Sequence, residues 1–265
     1  MDPITQFKQG QKQAWSGFSP LEILTIATAP RLVAFAQVRP GDRVLDVGCG
    51  TGVVSLTAAR AGAKVQGIDL TPELVARAKE NAQIARLDIP FQEGDVEDLP
   101  FPDATFDVVL SQFGHMFAPR PDVAVAQMLR VLKPGGTIAF STWPPELLMG
   151  KLFAMQAQYM PPPPPGIAPP PLWGDPNIVR ERLGTAVKDL LFDRATMLVP
   201  ALSPQHQRMH MEQHAGPLRK AAETLSQTYP SRLEELRAKY DALVSTYMKD
   251  NIIRQDYLIT RATKV

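Results

Sequence analysis

Arg43-Val44-Leu45-Asp46-Val47-Gly48-Cys49-Gly50-Thr51-Gly52 is the stretch from which the rest of the chain can be placed. Its apolar run reads as a short buried strand, its glycines as a sharp turn, and Val53 to Arg60 as the helix that follows. With no Cβ in the way, Gly48, Gly50 and Gly52 let the backbone reverse and come close to a ligand. The first N–H groups of that helix have no partner inside it, so they can hold a polar or anionic group at the turn.

Outward from this turn, Lys64 to Asp69 reads as a second strand ending in an acid. Thr71 is the expected N-cap of the next helix, Pro72 its first residue, and Glu73 suits the helix dipole. Leu74, Ala78, Ala82 and Ala85 share one small apolar face. Strand, turn, helix and strand make a βαβ unit, which crosses over right-handed into a parallel sheet. A third strand is expected near residues 90–93, leading into Gly94-Asp95-Val96-Glu97-Asp98. Phe106 to Ser111 gives a fourth. Val125, Met128, Leu129 and Leu132 mark a helix face, Lys133-Pro134-Gly135-Gly136 is expected to stop that helix, and Thr137 to Thr142 is a fifth strand. On the N-terminal side, residues 20–38 read as one or two helices split at Pro30.

The glycine spacing is Gly-x-Gly-x-Gly, not the Gly-x-Gly-x-x-Gly of dinucleotide sites. Asp69 can hold two ribose hydroxyls with its two oxygens, a demand shared by NAD and any adenosine ligand. Taken alone, these features leave a nucleotide site and a tight structural turn both open. Net charge is +1, from 28 basic and 27 acidic residues, so no broad basic face favours nucleic acid. The single cysteine, Cys49, excludes an intrachain disulfide and a cysteine-based zinc cluster, and reads as a small turn residue. Met1 to Gln6 lacks a signal-peptide pattern. Ile23 to Val38 is broken by Pro30-Arg31 and is too polar to span a bilayer. No membrane insertion and a cytoplasmic location are the expectations.

In the second half, Glu146 to Tyr159 reads as a helix, and Pro161 to Pro171 as a stiff polyproline II segment framing the site mouth. A helix through Arg182 and a sixth strand within Ala186 to Leu198 follow. Residues 203–249 read as helical, with Ser231-Arg232-Leu233-Glu234 as a capping box. Ile252 to Thr263 is apolar enough for a last strand. His206, His210 and His214 share one helix face, but i to i+8 spans ~12 Å, too far for all three to reach one ion. A polar stripe is the preferred reading and no metal site is expected.

Five motifs in order carry a more specific signal: Val44 to Gly52, Gly67-Ile68-Asp69, Gly94 to Asp103, Phe106-Asp107-Val108-Val109, and Arg130 to Gly136. Together they resemble the class I S-adenosylmethionine-dependent methyltransferases, most closely the ubiquinone/menaquinone-type branch of small-molecule enzymes. The resemblance covers residues 40–142. It implies a Rossmann-like, doubly wound α/β fold: a mostly parallel seven-stranded sheet whose last strand is antiparallel, plus a helical cap. The implied parts are an N-terminal cap segment (1–39), the cofactor-binding core (40–142), a helical cap with strand six (143–250) and the last strand (251–265). Trp15 and Phe18 are expected to help close the cap.

The resemblance also implies which residues bind the donor. Asp46, Gly48, Gly50 and Gly52 would line its methionine half, Asp69 its ribose, Leu70 and Val96 the adenine, and Asp95 the adenine amino group. Ser111 would stand at the carboxyl edge of the sheet. Gln127 occupies a position where the family often has an acid, and is expected to matter little. Methyl transfer needs positioning, plus a base where the acceptor carries a proton. His115, in the loop after strand four, is the candidate base, weighed against a structural histidine. The expected function is methylation of a small organic acceptor. A protein or nucleic-acid methyltransferase and a non-catalytic cofactor-binding protein are the alternatives, and an NAD enzyme is disfavoured by the glycine spacing.

Overall fold

The N-terminal residues form three helices: α1 (Pro3–Trp15), α2 (Glu22–Ile26) and α3 (Ala29–Phe35). The structure, a computed structural model, describes residues 2–265. The Asp2 carboxylate caps α1 by accepting from the Ile4 and Thr5 N–H groups. Pro30 sits in the first turn of α3, where its missing N–H costs nothing. α3 was expected in the cap segment. Instead it packs against the sheet, because Ala29, Leu32, Val33 and Ala36 form an apolar face that joins the main core.

The unit around the glycine turn forms with the limits its sequence suggests: β1 (Arg43–Val47), α4 (Val53–Arg60), β2 (Lys64–Asp69) and α5 (Pro72–Ala85). β3 (Phe91–Glu93), β4 (Phe106–Gln112), α6 (Pro121–Val131) and β5 (Leu132–Thr142) follow. α6 ends at Val131, just before Lys133 to Gly136, as the helix stop predicts. Those residues open β5, where the pairing register with β4 shifts between Phe106 and Val108. The next elements are α7 (Leu148–Ala157), α8 (Pro176–Leu183), β6 (Val187–Pro200), α9 (Pro204–His214), α10 (Gly216–Thr228), α11 (Pro230–Ser245), β7 (Met248–Lys249) and β8 (Ile252–Lys264). Ser231 lies inside α11, whose N-cap is Tyr229, so the expected capping box does not form; Glu234 pairs with Arg237 instead.

The strands make one sheet in the order β3-β2-β1-β4-β5-β8-β6, with β7 paired to the end of β8. β1 to β5 are parallel, and β8 is antiparallel to both β5 and β6. The seven expected strands are therefore present with the expected antiparallel one, and two-residue β7 makes an eighth. The chain leaves β1 toward β2 and later returns to β4 on β1's other side. Right-handed crossovers then place α4 and α5 on one face and α6 on the other. A crevice opens at the carboxyl ends of β1 and β4, where the winding reverses. α7 leaves the carboxyl end of β5, and α9 to α11 leave that of β6. With α1 these helices pack on one another above the crevice. Among the described residues, no helix is long and apolar enough to cross a membrane.

Candidate active site

The crevice beneath the helices is a cavity of about 1690 Å³, its open mouth included. Its floor is the glycine turn. An added Cβ on Gly48 would lie 2.9 Å from the Cα of Gly114, so the loops after β1 and β4 touch only because both residues are glycines. Gly50 is in the left-handed region (φ +55°), and the space its Cβ would take is open. Gly52 does not line the cavity. It is the N-cap of α4, packed against Phe91, Leu56 and Ala78. The Asn81 amide fixes the turn from behind, donating to the Thr51 carbonyl (3.0 Å) and to Glu22 (2.9 Å).

Two acids meet at this floor. Asp46 is 1% exposed and accepts from the Ser55 hydroxyl at 2.6 Å. Burial, together with the neighbouring Asp69 charge, pushes its pKa up to about 7. Asp69 accepts from the Thr71 N–H with one oxygen and the Gly50 N–H with the other, both at 2.8 Å, and burial raises its pKa too. Each oxygen keeps a lone pair for a ligand. Neither acid has a lysine or arginine partner among the described residues. Cys49 is buried beside them with its thiol pKa raised well above normal, as suits a turn residue and not a nucleophile.

Leu70, Asp95 and Val96 line the same half of the cavity. Asp95 is held by a residue that motif reading missed: Lys8 of α1 reaches its carboxylate at 2.5 Å and that of Glu97 at 2.6 Å. The Glu97 side chain is fully buried and also binds Arg120 at 2.7 Å. No local pattern could have paired residues 87 positions apart.

Ser111 stands at the carboxyl edge of the sheet, near the end of β4, and His115 lies in the loop after it. Ser111 is fully buried and outside the cavity lining; its hydroxyl donates to the Val47 carbonyl (2.6 Å) and accepts from the His115 N–H (3.0 Å), tying β4 to β1. His115 borders the cavity but is 1% exposed. Its ring packs on Phe140 and Trp173, each at 4.6 Å between centroids, and neither of those lines the cavity. Burial, with the charge of Arg182, lowers its pKa to about 3. Such an imidazole is neutral at pH 7 and a poor proton acceptor.

The other half of the cavity is apolar. Trp15 and Phe18, expected to help close it, do line it, with Phe117, Trp143, Leu152 and Phe153. Pro161 to Pro171 does not line it. Phe113 stacks on Trp143 at 4.0 Å, from a backbone with φ +59°. Such strain in a non-glycine residue is found mostly where function holds it. The histidines of α9 lie apart from this cavity, and no group of three metal-ligating side chains occurs among the described residues.

Comparison with known proteins gives consistent results. A family profile described as a methyltransferase domain matches residues 45–140. An uncharacterized protein of Mycobacterium tuberculosis is 36% identical over 244 residues, spanning 92% of this chain and 89% of its own. The 27-O-demethylrifamycin SV methyltransferase of Amycolatopsis mediterranei is 40% identical over 126 residues, 45% of each chain. Among solved structures, the YcgJ protein of Bacillus subtilis shares the fold with a TM-score of 0.63 at 18% identity, covering 90% of this chain and 98% of that one.

Proposed function

This chain belongs to the class I S-adenosylmethionine-dependent methyltransferases, and we propose that it methylates a small organic molecule held beneath its helical cap. One observation carries the choice of donor. Asp46 and Asp69 are two buried acids, without a basic partner, at the floor of a cavity that adjoins a glycine turn. They suit a ligand that brings its own positive charge and a ribose. The anionic pyrophosphate of a dinucleotide would be repelled there. S-adenosylmethionine, when bound, supplies a methyl group on a positively charged sulfur.

In this reading Asp46 faces the cationic amino-acid end of the donor and Asp69 its ribose hydroxyls. Gly48 and Gly50 leave room for its backbone-bound portion, while Leu70, Asp95 and Val96 surround the adenine. Residues 40–142 form the donor side, and α1, α7 and α9 to α11 cover the acceptor. The chain's contribution is to orient two bound molecules and to exclude water. The acceptor half of the cavity is lined largely by apolar side chains beneath the helices, which supports a small acceptor over a nucleic acid or a protein segment. The name of the Amycolatopsis relative points the same way, over less than half of each chain. The motifs favour the ubiquinone/menaquinone-type branch.

Isothermal calorimetry tests the donor assignment. S-adenosylmethionine and S-adenosylhomocysteine are expected to bind at micromolar concentration, and NAD not to bind. No heat from either sulfur ligand at millimolar concentration refutes the reading.

A further inference from the structure

We propose that the acceptor is an uncharged, largely apolar molecule that presents a hydroxyl or N–H hydrogen to the carboxamide oxygens of Gln112 and Gln156; this rests on the methyl-transfer reading above. The charged side chains bordering the cavity, Lys8, Asp46, Asp69 and Asp95, all stand on the donor side. Across from them, methionines 149, 197 and 211 join the aromatic walls, a lining that adapts to an apolar shape. The titratable group there is Tyr240. Its hydroxyl already donates to the Gln207 amide oxygen at 2.8 Å, and burial pushes its pKa above the usual tyrosine range. A charged acceptor would shed its water and meet no counter-charge.

Of the four glutamines bordering the cavity, Gln112 and Gln156 carry a buried side-chain oxygen without a partner. Gln112 is the last residue of β4, beside the loop that abuts the glycine turn. Its Nε2 donates to the Thr25 carbonyl at 3.1 Å, which fixes the amide orientation, since a carbonyl oxygen can only accept. Its Oε1 is left as a buried acceptor without a partner. Gln156, on α7, approaches from the cap. It is 8% exposed, borders the cavity, and its Oε1 also has no partner in the protein. A buried oxygen without a donor is costly, and a ligand hydrogen satisfies it. One carboxamide stands on the sheet and one on the cap, so together they fix the acceptor's orientation relative to the donor.

Three matched probes separate the contributions: 2-naphthol, its methyl ether and 2-naphthoate, titrated by calorimetry into the full chain with and without S-adenosylhomocysteine. Naphthol is expected to bind, the ether about tenfold more weakly, and naphthoate not measurably. The single naphthol hydrogen serves one carboxamide at a time, so Gln112→Leu or Gln156→Leu, and the double variant in either case, is expected to bring naphthol down toward the ether while leaving the ether's affinity unchanged. Naphthoate binding as tightly as naphthol overturns the proposal. So do equal losses for naphthol and ether in the variants, or no naphthol binding at millimolar concentration. The S-adenosylhomocysteine heat is read separately, so failure of the donor assignment shows as its absence while the naphthol series still decides the acceptor.

Discussion

Burial acts on Asp46 and His115 in opposite directions. The Asp46 pKa rises from 3.8 to about 7, so the folded chain holds this proton more tightly than the unfolded one. Its contribution to stability is then full below about pH 4 and declines as pH rises toward 7. A cationic donor group needs the ionised form, so donor affinity rises across that window. Relative to the wild type, Asp46→Asn is therefore expected to gain melting temperature between pH 5 and pH 8. It should bind S-adenosylhomocysteine at least about tenfold more weakly, with a flat pH profile. Parallel melting curves in scanning calorimetry would refute the assignment. The His115 pKa falls from 6.5 to about 3, so here the unfolded chain binds the proton more tightly and stability is lost as pH drops below 6.5. His115→Phe keeps a ring against Phe140 and Trp173. It is expected to melt higher than the wild type at pH 5, to match it at pH 8, and to leave donor binding unchanged. A large loss of S-adenosylhomocysteine binding would restore a role in the site.

α1 spans both halves of the cavity. Lys8 grips the acids after β3, Lys12 pairs with Glu93, and Trp15 packs on Phe117 at 4.8 Å. Lys8→Ala removes the grip on Asp95 and Glu97, while Glu97 keeps Arg120. Limited proteolysis is expected to cut within α1 several-fold faster in this variant, and unchanged cutting would mean that the Lys12 and Trp15 contacts suffice to anchor the helix. The sequence yields elements of this kind unevenly. β1, α4, β2 and α5 carry their limits in local signals: an apolar run, glycines, a proline at the first helical position. The same holds for the donor-side acids, which follow strand ends. Lys8, Gln112 and Gln156 gain their meaning from partners far along the chain, which no local pattern encodes. Lys133-Pro134-Gly135-Gly136 reads as a helix stop, and α6 does end just before it, at Val131; the four residues then bulge out without partners in β4. Gln127, expected to matter little, accepts from the Leu99 N–H and the Arg130 guanidinium, so it ties α6 to the loop after β3.

At the scale of the molecule, β8 joins the two parts of the sheet. It pairs with β5 along one edge and β6 along the other, and among the described residues β6 has no other strand neighbour. A chain ending at residue 250 leaves β6 unpaired and lacks Ile253, Tyr257 and Ile259, so the core they cover is exposed. Circular dichroism is expected to show no cooperative melting for that chain, and a sharp transition would refute the claim. β1 to β5 lie within residues 43–142 in one run, so they have all their mutual partners once that stretch has left the ribosome. The slot between β5 and β6 is filled by β8, which is made after both. Protein synthesis thus imposes a timetable: the donor side can assemble early in translation, and the acceptor chamber closes only after β8 has emerged.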